Sequence, residues 1–131
     1  MADAYVLLNH KLSAVQTQQL MERGVDHIIR PPESISALWQ GIPPSGPLPV
    51  PSLGKITDWL QKNAKSGDFV LVQGEFGATC FIVDYCFQNK LIPIYATSER
   101  KYREEPQKDG SVVRIHRFSH VQFREYKRSR K

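Results

Sequence analysis

The sequence predicts an α/β fold built on a mostly parallel β-sheet, and three of its features support this prediction. Short apolar runs alternate with longer stretches of helical spacing, which is the order typical of parallel strands joined by helices. The pair Asp109-Gly110, between two alternating segments, predicts a β-hairpin near the C-terminus. Apolar residues make up 40% of the 131 residues, enough for one core without disulfides or a metal.

The first half of the chain contains two predicted strands, two predicted helices and an irregular stretch. In order, we expect a strand at residues 4–8, a helix capped by Ser13 and ended by Gly24, a strand at 25–30, a helix from Ser34, and irregular structure over the Gly- and Pro-rich residues 41–51. The apolar run of the first strand is typical of a strand that is buried on both faces.

The second half repeats this alternation and then changes to a hairpin. In order, we expect a helix at residues 52–65, a strand at 69–72, a glycine loop at 73–79, a helix at 78–89, a strand at 91–96, hairpin arms at 101–107 and 111–118, and a closing segment at 119–126. Right-handed crossovers between such strands give a Rossmann-like sheet flanked by helices. Residues 1–126 are therefore predicted to form a single domain, followed by a disordered basic tail at 127–131.

Composition favours an anionic partner and a reducing compartment. The formal net charge is +5, which suits nucleotides or nucleic acid. Cys80 and Cys86 lack metal-ligand spacing and would lie on different faces of a helix, so we expect buried, reduced thiols. The first residues do not resemble a signal peptide, and no apolar stretch is long enough to cross a bilayer. A cytoplasmic protein without a membrane partner is the expectation.

Three segments follow predicted strands, and ligands of open parallel sheets bind at the carboxyl ends of strands. These segments are Asn9-His10, the glycine loop at 73–79, and residues 97–100. In the glycine loop, Gly74 and Gly77 would let the backbone approach a phosphate at the start of the next helix. The spacing fits neither a dinucleotide nor a Walker motif. A tight turn whose glycines only permit packing explains this loop equally well.

The other two segments carry side chains that suit a phosphodiester ligand. His10 could move a proton, because imidazole is the side chain that most readily exchanges one near neutral pH, although a plain surface histidine is an equal alternative. Arg100 could clamp a phosphate, or could simply belong to the base of a charged hairpin. Arg117, His120 and Arg124 add a further basic set near the C-terminus. His116 and His120 lack the additional ligands of a zinc site, so none is predicted.

Five motifs, in the same order along nearly the whole chain, resemble the Csx-twenty family of type III CRISPR accessory proteins. They are Leu7-Leu8-Asn9-His10-Lys11-Leu12, Ile42-Pro43-Pro44 after Trp39, Gln73-Gly74-Glu75-Phe76-Gly77-Ala78-Thr79, Ile94-Tyr95-Ala96-Thr97-Ser98-Glu99-Arg100, and Phe118-Ser119-His120-Val121-Gln122-Phe123-Arg124-Glu125-Tyr126. Ser98 and Glu75 replace Thr and Asp of the family pattern. That family is related to the CARF (CRISPR-associated Rossmann fold) proteins.

The resemblance implies a ring nuclease, an enzyme that cuts cyclic oligoadenylate, cyclic tetra-adenylate in particular. It implies a homodimer that works without a metal or cofactor and forms a 2′,3′-cyclic phosphate by attack of a ribose 2′-OH. The residues that it points to as catalytic are His10, Arg100, His120 and Arg124. Those that it points to as substrate-binding are Asn9, Gln73, Gly74, Phe76, Gly77, Ala78, Thr79, Thr97 and Ser98.

Two other functions fit the same residues. A non-catalytic sensor or sponge would bind cyclic oligoadenylate in the same pocket without cutting it, because positioning-based catalysis needs no nucleophile motif. A general RNA- or DNA-binding module would depend on the basic tail, Lys127 to Lys131. Duplex nucleic acid is not an expected partner of the ring nuclease.

Overall fold

The computed structural model describes residues 2–129 and contains five strands and four helices within that range. In chain order they are β1 (Ala2–Leu7), α1 (Ala14–Glu22), β2 (Val25–Ile29), α2 (Glu33–Gln40), α3 (Val50–Asn63), β3 (Phe69–Val72), α4 (Phe76–Gln88), β4 (Ile92–Pro106) and β5 (Val112–Glu125). The predicted α/β class is confirmed.

The strands form one sheet in the order β2-β1-β3-β4-β5. The first four strands of this order are parallel, and β5 pairs with β4 in the antiparallel sense. Because α1 leads from β1 toward one edge and α4 leads from β3 toward the other, the loops after β1 and β3 diverge. The strand order therefore reverses between β1 and β3, which is where open α/β sheets bind ligands.

Helices cover both faces of the sheet, and the alternation along β1 supplies both cores. Tyr5 and Leu7 pack into a cluster with buried residues of α2, α3 and α4, such as Trp39. Val6 and Leu8 pack on the other face with Leu20 of α1. A strand that is buried on both faces must be apolar throughout, which explains the continuous run that the sequence shows.

The hairpin is longer than the sequence suggests. We expected a strand at residues 91–96 that ended in a loop at 97–100, but these residues lie inside β4, and the pairing with β5 continues from Ile94 to Pro106. The prediction of a loop was wrong because antiparallel pairing with β5 satisfies the backbone after parallel pairing with β3 has ended at Ile94. The turn forms around Gly110 (φ +88°), as the sequence predicts.

Helix ends follow the sequence to within two residues. Helix α2 begins at Glu33 rather than Ser34, and α3 spans Val50–Asn63 rather than residues 52–65, so it includes the last two residues of the stretch that we expected to be irregular. Ser13 caps α1 through a capping box with Gln16, and Gly24 (φ +93°) follows that helix. Helix α4 begins at Phe76 rather than Ala78, because the carboxylate of Glu75 caps it by accepting the N–H of Ala78 at 2.8 Å.

The two cysteines differ in burial, and both are free. On α4 the buried residues are Ala78, Ile82 and Cys86, one turn apart, and burial raises the pKa of Cys86 to about 12. Cys80 is exposed because it lies on the opposite side of the helix, so the prediction that it is buried was wrong.

Within residues 2–129, no helix combines the length and apolar character needed to cross a bilayer.

In the basic segment after β5, the guanidinium of Arg128 lies 4.8 Å from the centre of the Phe87 ring. The last two residues of the predicted tail, at 130 and 131, lie outside the described residues.

Candidate functional site

A cleft of about 610 Å³ opens at the edge of the sheet where β1 and β3 end, beside residues 96–98 inside β4. Its walls come from the segment after β1, the start of α1, Gln73 after β3, and the facing parts of β4 and β5. The lining residues are His10, Lys11, Ser13, Val15, Gln16, Gln73, Ala96, Thr97, Ser98, Phe118, Ser119 and His120. We call this the cleft below.

The lining of the cleft suits an anion with exposed hydroxyl groups. It contains two histidines and Lys11, several neutral hydrogen-bonding side chains, and no carboxylate among its described residues. An anion bound in the cleft would therefore have hydrogen-bond donors around it and no negatively charged side chain in the lining. The predicted residues His10, Gln73, Thr97, Ser98 and His120 meet here from four separate segments of the chain.

His120 is the half-buried titratable group of the cleft. Its Nε2 lies 2.7 Å from the side-chain oxygen of Gln19, and its Nδ1 lies 3.4 Å from the amide nitrogen of Gln16. Because an amide oxygen accepts and an amide nitrogen donates, these partners place the ring proton on Nε2 and leave Nδ1 as the basic atom. Burial lowers the pKa of His120, so the neutral imidazole is favoured.

A β-bulge sets the direction of His120. Thr97 pairs with Gln122, but the next residue, Ser98, pairs with His120, so one residue of β5 is left over. In a regular strand His120 and Phe123 would point to opposite faces, since three positions separate them. The extra residue reverses that alternation, and the two rings contact each other with centroids 5.0 Å apart. His120 therefore points toward α1 and the cleft.

Local sequence patterns do not reveal the contacts that Gln16 and Gln19 make with His120. Gln16 is buried, and its side-chain oxygen accepts the N–H of Ser13 while its amide nitrogen faces His120. The Ser13-Gln16 capping spacing is readable from the sequence, but the contact with His120 spans 104 positions. Such a distant contact has no local pattern that could reveal it.

The residues after β1 divide between two hollows. His10 is exposed, and its Nδ1 lies 3.0 Å from the carbonyl oxygen of Lys11. Asn9 does not line the cleft; it lines a neighbouring hollow of about 380 Å³, which also contains Arg30 and borders His10 and Lys11. The predicted pair Asn9-His10 is thus divided: His10 lines both the cleft and the neighbouring hollow, whereas Asn9 lines the neighbouring hollow.

Gln73 contributes to the cleft mainly as a fixed wall. Its side-chain oxygen accepts the N–H of Ala96 at 2.9 Å, and its amide nitrogen lies 3.5 Å from the Ala96 carbonyl. The side chain therefore joins β3 to β4 just where their backbone pairing stops.

The two glycines of the loop have packing neighbours. A Cβ on Gly74 would lie 2.8 Å from Cζ2 of Trp39, and the indole Nε1 of that residue donates to the carbonyl of Gln73. A Cβ on Gly77 would lie 3.2 Å from Cδ1 of Leu48. These contacts favour the alternative in which the glycines permit close packing.

The remainder of the loop does not line the cleft. The N–H of Ala78, which we expected to be available to a phosphate, is occupied by Glu75. Phe76 is 89% exposed in the first turn of α4. The hydroxyl of Thr79 is buried and has no hydrogen-bond partner among the described residues.

The two predicted arginines lie on opposite faces of the sheet. Arg100 extends along the hairpin, where it donates to Nδ1 of His116 at 3.1 Å and lies over Phe118, a residue of the cleft. Arg124 pairs with Tyr95, and its guanidinium donates to the Tyr95 hydroxyl at 3.4 Å. Tyr95 contacts Tyr126, which packs on the α3 and α4 side. Arg124 is thus remote from His120.

No group of three or more His, Cys, Asp or Glu residues within residues 2–129 is arranged to hold a metal ion. His116 faces Arg100, whereas His120 faces the two glutamines of α1.

Comparison with known proteins gives a family. The sequence pattern described as "Uncharacterized protein MJ1673 family" matches residues 2–124. The Uncharacterized protein MJ1673 of Methanocaldococcus jannaschii is 37% identical over 127 residues, which cover 96% of this chain and 98% of that protein. No solved structure gives a significant match. Neither name states an activity or a ligand. Because the match covers nearly the whole chain, the protein belongs to the MJ1673 family.

Proposed function

We propose that the protein is a ring nuclease that binds cyclic oligoadenylate, cyclic tetra-adenylate in particular, in the cleft and cleaves it, so that it ends type III CRISPR signalling. The observation that carries this proposal is the meeting of His10, Lys11 and His120 in a cleft without a carboxylate, at the point where the strand order reverses. The five motifs that resemble the Csx-twenty family supply the identity of the ligand.

The proposed reaction is an internal transesterification. When the ligand displaces the long contact from the Gln16 amide, Nδ1 of His120 accepts the proton of a ribose 2′-OH while the 2′-oxygen forms a bond to the adjacent phosphorus. The bond from phosphorus to the 5′-oxygen breaks, and His10 supplies the proton that the 5′-oxygen takes up. The products of cutting a tetra-adenylate ring twice are two linear diadenylates, each with a 2′,3′-cyclic phosphate and a 5′-OH.

Positioning and charge supply the rest of the proposed acceleration. The cleft walls would hold the 2′-oxygen, the phosphorus and the 5′-oxygen in line. Such positioning of reacting groups corresponds to an effective molarity of about 10⁵ M or more. The ammonium of Lys11 would stabilise the charge that develops on the phosphorane. Ser98 offers a hydroxyl donor to the non-bridging oxygens, whereas the Thr97 hydroxyl donates to the carbonyl oxygen of Gln122 at 3.2 Å. Arg100 would hold a phosphate at the outer end of the cleft, beside Phe118.

The proposal includes a CARF-like, Rossmann-like fold and a homodimer. The parallel order β2-β1-β3-β4 fits such a fold, and the cleft lies where its members bind ligands. A ring of four identical nucleotides suits an isologous twofold dimer, because each contact would then occur twice. A second copy would also supply further contacts for a ring of that size.

The test is incubation of the purified protein with labelled cyclic tetra-adenylate in the presence of EDTA. We expect the ring to be converted to diadenylate with a 2′,3′-cyclic phosphate, because the proposed groups are all side chains of this protein. Intact ring that stays bound to the protein contradicts cleavage and favours the sponge. Intact ring that does not bind contradicts the ligand itself.

A further inference from the structure

One face of the β4-β5 hairpin carries alternating aromatic and cationic side chains. Pairing across the hairpin places Arg100 opposite Phe118 and Tyr102 opposite His116, and Arg114 follows two positions beyond His116. Residues two apart on a strand share a face, so all five side chains point the same way. We call this set the aromatic-arginine face.

The side chains of this face are mutually stacked and open to solvent. The guanidinium of Arg114 lies 5.7 Å from the Tyr102 ring centre, and that of Arg100 lies 6.0 Å from the Phe118 ring centre. The rings of Tyr102 and His116 are 5.9 Å apart. Tyr102 is 62% exposed and Phe118 is 71% exposed, so the arginines cover them only in part. Each ring therefore keeps a free π surface.

The opposite face of the same hairpin differs in chemistry. It carries Lys101, Arg103, Val113, Ile115 and Arg117, and contains no aromatic ring. Two of the three cations on this face are paired locally: Lys101 lies 3.0 Å from Glu99, and Arg103 lies 2.7 Å from Glu105. The aromatic residues are thus confined to the face that continues into the cleft, since Phe118 belongs to both.

We propose that the aromatic-arginine face binds a single-stranded RNA by stacking its unpaired bases on Tyr102 and Phe118. Stacking on aromatic side chains combined with arginine contacts to the backbone is how proteins hold unpaired nucleotides. Tyr102 and Phe118 lie diagonally across the hairpin, and such diagonal positions are about 7–8 Å apart, which is comparable to the span of one extended nucleotide. Arg100 and Arg114 would contact the neighbouring phosphates.

Charge favours RNA over a second copy of the chain as the occupant. The face has two arginines and one histidine against a single carboxylate, Glu104, which lies 3.5 Å from Arg114. Two such faces placed together would set arginines against arginines, and like charges opposed across an interface disfavour association. A two-stranded ribbon exposed on both sides is also marginally stable in water, so a bound strand would order it. RNA binding by the aromatic-arginine face does not depend on the proposed cleavage of cyclic oligoadenylate in the cleft.

The test measures the binding of a labelled oligoadenylate RNA of about ten nucleotides to the full chain by fluorescence anisotropy. We expect saturable binding that the double variant Tyr102→Leu, Phe118→Leu weakens by about tenfold or more, because leucine keeps apolar area but has no π surface. The variants Tyr102→Phe and Phe118→Tyr should stay within about twofold of the unaltered protein, since they keep the rings.

The salt dependence gives a second readout that does not depend on the aromatic variants. Arg114→Gln should reduce the slope of log affinity against log salt by about 0.7, the value for one phosphate contact on a single strand. The matched control is Arg103→Gln, which removes an arginine from the opposite face and should leave the slope unchanged. Thermal melts confirm that each variant is folded.

Three outcomes overturn the proposal. The first is the absence of saturable binding to the unaltered protein. The second is equal binding by the double leucine variant, and the third is an equal change of slope for Arg103→Gln and Arg114→Gln. If sedimentation shows a dimer that the double leucine variant dissociates while RNA affinity is unchanged, the face belongs to a second copy of the chain.

Discussion

At the scale of single residues, Gly74 shows how packing can account for a glycine that also lies near a ligand site. The indole of Trp39 is 2% exposed and lies directly against the Gly74 backbone. Trp39 also donates a hydrogen bond to the carbonyl of Gln73, the residue that joins β3 to β4 beside the cleft. Gly74 therefore lets the core of α2 support one wall of the cleft.

We expect Gly74→Ala to lower the free energy of unfolding by about 1–3 kcal/mol, because its Cβ would overlap the Trp39 ring. Gly54→Ala is the matched control: it lies inside α3, where a Cβ meets nothing within 4 Å. That change should stabilise the protein by about 0.5–1 kcal/mol through helix propensity. Urea denaturation measures both changes. Equal effects of the two substitutions contradict the packing role of Gly74.

His120 gives the stability a pH dependence of known sign. Its pKa in the folded protein lies below the ordinary 6.5, because burial disfavours the imidazolium. At pH values between the folded-state pKa of His120 and 6.5, the unfolded chain binds more protons than the folded one, so the free energy of unfolding falls as the pH drops below about 6.5. We expect His120→Gln to remove this part of the dependence. Urea midpoints from neutral pH to about pH 5 measure it, and parallel curves for the two proteins refute the prediction.

At the scale of elements, the end of β5 is tied to the centre of the sheet by Tyr126. Its hydroxyl donates to the carbonyl of Val72 at 2.7 Å, and burial raises its pKa to about 12. Its ring packs on Tyr95 of β4, with centroids 4.7 Å apart. This contact joins the last residues of the hairpin to β3, beside the cleft.

We expect Tyr126→Phe to lower the free energy of unfolding by about 1 kcal/mol, because the substitution removes a half-buried hydrogen bond and keeps the ring. Tyr95→Phe is the matched control, since the Tyr95 hydroxyl only accepts a long, exposed bond of 3.4 Å from Arg124. Its effect should stay within about 0.5 kcal/mol. A larger loss for Tyr95→Phe in urea denaturation contradicts this account.

Local patterns predict the parallel part of the fold well, and the physical reason is that its signals are local. Ser13 and Gly24 delimit α1 as expected, because caps and turns depend on neighbouring residues. The extent of β4 was predicted poorly, because residues 97–100 are strand only through their pairing with β5. A distant partner leaves no trace in the local pattern.

The site was predicted in part for the same reason. The rule that ligands bind at the carboxyl ends of strands predicts that His10 and Gln73 lie at one edge of the sheet, and both line the cleft there. Arg124 was grouped with His120, although it lies on the other face. A bulge that reverses the alternation between these residues cannot be read from the sequence of β5 alone.

At the scale of the whole molecule, the cleft depends on the sheet order rather than on any one motif. His10 and His120 are 110 positions apart and line the same cleft, because β1 and β3 end at one edge of the sheet, while β4 continues past that edge and β5 folds back along it. The basic segment after β5 starts beside Phe87 and Glu125, away from this edge.

We therefore expect deletion of residues 127–131 to leave the affinity for cyclic tetra-adenylate within about threefold, since exposed charges beyond a Debye length contribute little. Binding is measured with the labelled ring at about 0.15 M salt. A loss of binding on deletion supports the general nucleic-acid-binding module that depends on the tail.

The central claim is that the cleft cleaves cyclic oligoadenylate with His120 as the base, and single-turnover cleavage of labelled cyclic tetra-adenylate tests it most directly. We expect His120→Gln to slow cleavage by about 100-fold or more, because the substitution removes the general base. The matched control is His27→Gln. His27 is a residue of β2 that lies 3.0 Å from Asp3 and does not line the cleft. We predict that the control cleaves at the rate of the unaltered protein. Equal rates for the two variants, or no cleavage by the unaltered protein, would contradict the claim.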